Sequence, residues 1–368
     1  MFAPVLPTNS DSSASTRLHW LALTRIESLG SVRCQVLIER FKTPQNAFRA
    51  TREELSSLSP ALPHESVDAL LEGPDLLWAR RQVSQAEAIG ASIICWDDPD
   101  YPPPLREIPS PPPVLFAQGV LGLPHSRAVA VVGTRNPSVL GESTTRRLCQ
   151  DWARNGIRIV SGLARGIDET AHRTALEQGG ETVAVLGCPL DGLGTSGRGR
   201  LAQQIAAAGA ILTEHAFGAP VKPGNFVRRN RLISGLSQAV VVVEAPMGSG
   251  ALITARNALE QNRELLACPG PADAPGFAGC FSLLRQGAGL CAHPDDLWTA
   301  MGWKARPPQE DDPSESPVVK LLRRHDATLE ELILETQTPI ALLQGELVLL
   351  ELSGRIARMG GSRFRFLP

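Results

Sequence analysis

The spacing of hydrophobic positions changes twice along the chain and divides it into three regions. Between residues 16 and 84, apolar residues recur at helical spacing, as in Trp20, Leu23 and Ile26. From about 85 to 300, short β-branched runs end in glycine-rich turns and lead into helical patterns. Residues 318–368 show three helical patterns and then a glycine-containing hairpin. The pattern therefore predicts a helical region, an α/β domain and a C-terminal domain that looks like a winged helix.

Composition marks the segments around these regions. Residues 1–15 are serine-rich and are predicted to be a disordered tail. Residues 16–84 are predicted to form a helical domain similar to SAM or helix-hairpin-helix bundles, with a capping box at residues 51–54. Residues 301–317 are polar and proline-rich, which predicts a linker before the winged-helix-like domain at 318–368.

Strand, glycine loop and helix follow one another repeatedly within residues 85–300. The apolar runs at 128–132, 157–160, 183–186 and 240–243 each lead into a glycine-containing turn. Such repetition predicts an α/β fold with a parallel, doubly wound sheet. Ligands of these sheets bind beyond the carboxyl ends of the strands.

Three glycine-rich loops follow predicted strands and are candidate phosphate sites. Glycine lets the backbone approach an anion, and the next helix offers free amides. Several phosphate sites on one edge suit an oligonucleotide better than a mononucleotide. The alternative is that the glycines only form tight turns between strand and helix. The candidate residues are Gly133, Thr134 and Arg135, then Ser161, Gly162, Arg165 and Gly166, and finally Ser249 and Gly250.

A basic segment at residues 222–231 has the strongest candidate chemistry. Several cations beside a single aromatic ring suit a chain of phosphates that carries stackable bases. The alternative is a solvated arginine face on a surface helix. The candidate DNA-binding residues here are Lys222, Asn225, Phe226, Arg228, Arg229, Asn230 and Arg231.

Charge and cysteine content limit the function classes. A net charge of −2 and a pI near 6.4 argue against non-specific coating of nucleic acid, so any such site must be local. Seven scattered cysteines without a Cys-x-x-Cys pair predict reduced thiols and no zinc site. The first residues lack a signal-peptide pattern, and no apolar run approaches the roughly 18 residues that a membrane span needs. We therefore expect a cytoplasmic protein without a membrane span.

Enzyme motifs are mostly missing from the sequence. It has no P-loop, and Met247 stands where a Gly-x-Ser-x-Gly elbow would need glycine. The single Gly-x-Gly-x-x-Gly match, at 192–197, begins several residues beyond its strand, so NAD is not expected. Asp168 and His172 could be an acid–base or metal pair, but helix capping and local hydrogen bonding are favoured. We predict no catalytic residue, no metal and no cofactor.

Together these motifs resemble the DNA-processing protein A family, also called DprA or Smf. The resemblance implies an extended Rossmann-like domain over residues 85–300 that forms a homodimer, with the helical and winged-helix-like domains at its two ends. The matching motifs are Asp98-Pro-Asp-Tyr-Pro102, Val131-Val-Gly-Thr-Arg135, residues 160–168 with Ala171-His172, residues 180–187 and 226–236, Val243-Glu-Ala245, residues 249–254, and Cys268-Pro-Gly270.

This resemblance implies a non-enzymatic, single-stranded-DNA-binding protein of natural transformation (competence) and DNA recombination. Such a protein protects incoming single strands and loads RecA on them, relieving the block that single-strand-binding protein imposes. By motif, Arg135 and Lys222 would hold phosphates, and Phe226 would stack on a base. The remaining basic-segment arginines, Arg228, Arg229 and Arg231, would line or brace the groove, and Asn230 would orient the loop.

Other functions remain open at this point. A nucleotide- or phosphoribosyl-processing enzyme on a related fold would use Glu244, Asp168 or Glu214, and a structural adaptor would bind an acidic protein through its arginines. The chain also departs from the family pattern at residues 188–200, which add Arg198 and Arg200, and at Val227, where proline is usual.

The winged-helix-like domain has an unusual third helix. Residues 340–350 offer only Gln344 and Glu346 as polar contacts, which favours a protein partner over duplex DNA. Weak DNA contact stays possible through Lys320, Arg323, Arg324, Arg355, Arg363 and Arg365.

Overall fold

The computed structural model describes residues 9–26, 28–121, 127–194, 197–304, 316–324, 326–359 and 363–366. It contains two compact units, Met1–Trp303 and Lys304–Pro368. Most of the predicted linker (305–315) and the first part of the predicted disordered tail (1–8) lie outside the described residues.

Six described helices open the first unit: α1 (Asn9–Arg25), α2 (Gly30–Phe41), α3 (Pro44–Ala47), α4 (Arg52–Ser56), α5 (His64–Glu72) and α6 (Leu76–Ala88). For residues 9–15 the prediction of disorder was wrong, because α1 extends back to Asn9 from the buried Trp20. The predicted capping box is confirmed, since Thr51 N donates to Glu54 Oε2 at 2.8 Å and Glu54 N donates to Thr51 Oγ1 at 3.3 Å.

The helical region and the α/β region share one hydrophobic core. Trp20, Leu37 and Leu70 from the helices belong to the same buried cluster as Phe116 and Ile205. The boundary predicted near residue 84 therefore runs inside a single compact unit.

The rest of the first unit alternates strands and helices. The strands are β1 (Ser92–Cys95), β2 (Val114–Gly119), β3 (Ala128–Val132), β4 (Arg158–Ser161), β5 (Thr182–Val185), β6 (Ala210–Thr213), β7 (Ala239–Val242), β8 (Glu264–Ala267) and β9 (Gly289–Leu290). The helices are α7 (Pro103–Arg106), α8 (Val139–Arg154), α9 (Ile167–Glu177), α10 (Gly197–Ala208), α11 (Pro223–Gly235), α12 (Gly250–Glu260), α13 (Ala278–Arg285) and α14 (Pro294–Ala300).

These nine described strands form one sheet in the order β1-β2-β6-β5-β4-β3-β7-β8-β9. Strands β3 to β9 run parallel, which confirms the doubly wound prediction. The pattern did not predict that β1 and β2 are antiparallel to their neighbours. Only residues 120–127 join β2 to β3, and a parallel crossover needs a dozen residues or more.

Helices cover both faces of the sheet, which explains the uninterrupted apolar runs of its strands. Helices α8, α9 and α14 pack on one face around Val131 and Trp152, and α11, α12 and α13 pack on the other around Leu232 and Val240. The chain adds β4 to β6 on one side of β3 and β7 to β9 on the other. The carboxyl ends of β3 and β7 therefore flank the point where the strand order reverses.

The second unit is a winged helix, as predicted. It contains α15 (Pro317–Arg324), β10 (Ala327–Thr328), α16 (Leu329–Thr336), α17 (Ile340–Leu352), β11 (Ile356–Met359) and β12 (Arg363–Phe366). Its strands pair in the order β10-β12-β11, over a core that includes Val318, Leu332, Leu347 and Phe364. Among the helices described in either unit, none has the length and apolar character needed to cross a membrane.

Candidate nucleic-acid interface

The three glycine-rich loops lie at the carboxyl ends of β3, β4 and β7, which are neighbours in the sheet. Backbone hydrogen bonds join the loops directly. Thr134 N donates to Glu244 O at 2.7 Å, and Ile167 N donates to Thr134 O at 3.2 Å. The loops thus form one continuous edge, which we call the rim.

Two glycines of the loop after β4 closely approach other protein groups. Gly166 has a φ of +91°, and a Cβ there would lie 2.4 Å from Thr134 O. A Cβ at Gly162 would lie 2.5 Å from Cζ of Arg229. At both positions, the need for glycine is explained by close packing within the protein and requires no bound phosphate. Gly250 differs, because no heavy atom lies within 4 Å of the place its Cβ would take.

Four exposed cations lie along or beside the rim: Arg135, Arg165, Lys222 and Arg228. We call them the rim cations. Arg165 links two loops, since its Nε donates to Arg135 O at 3.2 Å and its Nη2 donates to Asn136 Oδ1. Lys222 immediately precedes α11.

Phe226 lies at the end of β5, in the first turn of α11. Its ring is half-buried and packs so closely on Gly187 that a Cβ there would lie 2.6 Å from Cδ1 of the ring. The turn before α11 is held by Asn225, whose Nδ2 donates to Pro220 O at 3.2 Å. The ring is therefore fixed from below and remains partly accessible at the rim.

Arg229 is buried, although its neighbour Arg228 is exposed. Its Nη1 donates to Gly162 O at 2.6 Å and to Val185 O, and its Nε donates to Asn230 Oδ1 at 3.2 Å. Burial lowers the pKa of Arg229, and the charge of Asp168 opposes that effect. Arg229 thus clamps the ends of β4 and β5 from inside the protein. Its spacing to Leu232 and Ile233 on α11 was the sequence signal for this burial.

Asp168 and His172 are also buried beneath the rim. Asp168 Oδ2 accepts hydrogen bonds from Gly162 N at 3.1 Å and Ala164 N at 3.4 Å, so it holds the loop before α9. The prediction that Asp168 caps α9 was wrong, because Gly166 is the N-cap residue and no side chain caps the helix. Burial raises the pKa of Asp168, and the charge of Arg229 opposes the rise. His172 Nδ1 lies 2.7 Å from Thr182 Oγ1, in line with the predicted local hydrogen bond.

We expect stability to fall in mild acid because of His172. Burial, and then the charge of Arg229, lower its pKa from 6.5 to about 3. Below about pH 6.5 only the unfolded state takes up this proton, so stability is lost as the pH falls from there towards about 3. For one such group the loss between about pH 7.5 and pH 5 is about 2 kcal/mol.

Urea unfolding of the wild type, His172→Gln and His64→Gln at both pH values measures this term. His172→Gln should lose about 2 kcal/mol less than the wild type on acidification. His64 is exposed, so its variant is the matched control. Equal acid sensitivity in all three proteins would contradict the prediction. Any contribution from Asp168 is common to the three, since none of them changes it.

Asn230 and Arg231 connect α11 to other parts of the first unit. Asn230 Nδ2 donates to Gly250 O at 3.1 Å. Nη1 and Nη2 of Arg231 each donate to a carboxylate oxygen of Glu214 at 2.7 Å, and its Nε donates to Ser110 O at 2.9 Å. Burial opposes ionisation of Glu214, but the charge and hydrogen bonds of Arg231 outweigh it and lower the pKa of Glu214.

The remaining polar candidates bond to protein groups as well. Glu244 is buried at the reversal point, where its Oε2 accepts from Ser138 N and Ser138 Oγ at 2.9 Å each. Ser161 Oγ donates to Val131 O at 2.6 Å, and Ser249 Oγ accepts from Ala251 N at 3.3 Å. The candidate carboxylates of an enzyme are thus buried and engaged in hydrogen bonds.

Two exposed apolar side chains on the rim loops were missed by sequence reasoning. Val139 begins α8 and is 88% exposed, and Met247 lies between β7 and α12 and is 64% exposed. Most apolar residues of this region are buried, and the sequence does not show which of them are exposed. Both are available to contact a planar base.

The fold and the rim define an α/β protein of the doubly wound class with a cationic carboxyl edge and an attached winged helix. Comparison with known proteins identifies the family. The profile of the family described as DNA recombination-mediator protein A matches residues 92–302, and that of the DprA winged helix domain matches residues 302–362. Protein Smf from Synechocystis is 38% identical over 292 residues, which are 78% of this chain and 73% of the relative.

Two solved structures are also similar. One is DNA processing protein A from Streptococcus pneumoniae, with a TM-score of 0.67 and 30% identity over 77% of this chain and 97% of that one. The other is DNA processing protein A from Helicobacter pylori, described for its single-stranded DNA binding mode, with a TM-score of 0.53 and 28% identity over 59% of this chain and 97% of that one. The chain belongs to the DNA recombination-mediator protein A (DprA/Smf) family, and its role lies in DNA processing.

Proposed function

We propose that this protein binds single-stranded DNA along the rim, protects it, and loads RecA on it during natural transformation. The observation that carries the proposal is the set of exposed rim cations around a half-buried Phe226. Cations that neutralise phosphates supply most of the affinity for nucleic acid. Because Phe226 lies beside the rim in the first turn of α11, its ring is suited to stack on a base that is not paired in a duplex.

The length of the rim supports an oligonucleotide as the ligand. The rim crosses two strand intervals, and the end of β5, where Phe226 lies, adds a third, in the order β5-β4-β3-β7. At about 4.8 Å per interval this is about 14 Å, enough to face several consecutive phosphates. Arg135 and Arg165 would hold phosphates in the middle of this path, with Lys222 and Arg228 beside Phe226.

The buried residues of the basic segment fit a bracing role. Arg229, Asn230 and Arg231 donate to backbone carbonyls or to Glu214 inside the protein. We assign them to shaping the rim, and direct phosphate contact to the rim cations. Ser161, Gly162 and Gly166 belong with the bracing group, whereas Gly133, Thr134, Ser249 and Gly250 line the loops that the strand would follow.

An enzyme remains the alternative proposal. Glu214 is paired with Arg231, Glu244 accepts two hydrogen bonds from Ser138, and Asp168 lies buried beneath Gly162. Because a general acid or base must reach its substrate, these internal bonds favour the binding function. Nucleotide turnover that is lost on Glu244→Gln would favour the enzyme instead.

Phe226→Ala tests the stacking contact. Loss of one stacked base should raise the Kd for labelled oligo-dT by about 5- to 150-fold, which corresponds to roughly 1–3 kcal/mol. The salt dependence of Kd should not change, because no cation is removed. Fluorescence anisotropy at two salt concentrations measures both quantities.

The matched control is Phe48→Ala, which truncates another half-buried phenylalanine among the N-terminal helices. It should bind like the wild type, and Phe226→Trp should retain most of the affinity. An unchanged Kd for Phe226→Ala would remove the ring from the proposed site.

The later steps need their own assay. The family resemblance supports contacts with RecA, with single-strand-binding protein and with a second copy of the chain. RecA-dependent ATP hydrolysis on DNA coated with single-strand-binding protein should rise when this protein is added. A protein that binds DNA but leaves that rate unchanged would limit the proposal to binding and protection.

A further inference from the structure

The outward face of α17 in the winged helix is apolar. The inward side chains Leu343, Leu347 and Leu350 belong to the core of this unit. On the other side, Leu342 is 67% exposed and Leu349 is 68% exposed. The large exposed apolar side chains on this helix are Ile340, Leu342, Val348, Leu349 and Leu352, and the small Ala341 is exposed as well. A patch of this kind on a folded unit marks an interaction surface.

Nucleic acid is a poor occupant for this face. It carries no cation, and Glu351 is its only ionisable exposed side chain. Two cations of the wing are already paired, Arg365 with Asp326 at 2.6 Å and Arg363 with Glu331 at 3.5 Å. Helices that read duplex DNA present Arg, Lys, Asn or Gln to base edges, and Gln344 alone meets that description.

The order of residues on α17 is nearly symmetric about Gly345. Nothing lies within 4 Å of the position its Cβ would take, so the helix surface is open and low there. If a second α17 crosses antiparallel at this point, a residue n positions after Gly345 faces the residue n positions before it. Val348 then meets Leu342, and Leu349 meets Ala341.

Charge also fits this arrangement. Glu351 lies opposite Pro339 of the second copy, so the two carboxylates do not face each other. We propose that α17 is a docking site for a second copy of this chain, with the two helices packed antiparallel across a twofold axis at Gly345. This contact is isologous, and a glycine at the crossing lets the helices approach closely.

The contact should be weak alone. A helix of 13 residues is about 20 Å long, and its face is smaller than the roughly 800 Å² per partner of a standard interface. It would add to any homodimer formed through the α/β domain and would join two such assemblies. The proposal does not depend on DNA binding at the rim.

Cysteine cross-linking of the full-length protein tests the twofold arrangement. Gly345→Cys brings two thiols together at the axis, so a short bis-maleimide should give a covalent dimer on a denaturing gel. Glu351→Cys is the matched control, since its two copies would lie about 18 Å apart along the helices. Six of the seven native cysteines are buried and Cys188 is half-buried, so the wild type should stay monomeric on the gel.

A second substitution separates docking from chance collision. Leu349→Lys added to Gly345→Cys should abolish the dimer and leave oligo-dT binding unchanged. Equal cross-linking of Gly345→Cys and Glu351→Cys would overturn the proposal, and so would the lack of a dimer with Gly345→Cys. The apolar face would then belong to a different partner.

Discussion

Replacing Arg229 by methionine should lower the free energy of unfolding by about 3–5 kcal/mol. The substitution removes the nearby positive charge that offsets the burial of the Asp168 carboxyl, and it leaves the carbonyls of Gly162 and Val185 without their donor. Methionine fills much of the same volume, so lost packing is a smaller part of the effect. Urea unfolding at neutral pH measures the difference.

Arg228→Met is the control, because it changes the same residue type one position earlier. Arg228 is exposed, so its stability should stay within about 0.5 kcal/mol of wild type, although its DNA binding should weaken. Adding Asp168→Asn to Arg229→Met should restore part of the lost stability, because the unpaired charge is then gone. A loss below about 1 kcal/mol for Arg229→Met would contradict the clamp.

The second large effect is expected on DNA binding. Arg135→Ala should raise the Kd for oligo-dT by about 10- to 150-fold, because a hydrogen bond to a charged group contributes about 1.5–3 kcal/mol. The slope of log K against log salt should also become shallower by about 0.7, the value for one phosphate contact on a single strand. Anisotropy titrations at several salt concentrations measure both changes.

Arg52→Ala is the matched control. Arg52 is an exposed arginine of the N-terminal helices, paired with Asp68 at 2.7 Å, and its removal should leave both Kd and slope unchanged. If Arg135→Ala behaved in the same way, the phosphate path would have to avoid the β3 loop. Arg198 and Arg200, exposed at the start of α10, would then be the next residues to test.

The central sheet could be predicted because its strands are buried on both faces. Runs such as 128–132 and 240–243 are apolar without alternation, which is typical of parallel strands between two helix layers. Strands β1 and β2 are also largely buried, but an apolar run does not show the direction of its neighbours. The reversed direction of β2 fits its short connection to β3, but this can be recognised only once the strand order is known.

The location of the candidate site could be predicted from the sequence, but the roles of its individual residues could be predicted only in part. Glycine loops after strands located the rim, because strand ends of a parallel sheet meet at one edge. Arg228 and Arg229 are chemically identical neighbours, and only the helical phase of Leu232 and Ile233 indicates which one is buried. The exposure of Val139 and Met247 depends on what the folded loops leave uncovered, and no residue pattern encodes that.

The core shared by the N-terminal helices and the sheet has an evolutionary consequence. Phe116 of β2 and Phe217 after β6 pack edge to face at 5.4 Å between ring centroids, within the cluster that also contains Trp20 and Leu70. Exchanging only residues 1–84 would remove the helical side chains, such as Trp20 and Leu70, that share this cluster with Phe116 and Phe217. We therefore expect the helices to be exchanged successfully only when the sheet edge that they cover is altered to match, whereas the winged helix, with its own core, should tolerate replacement as a unit.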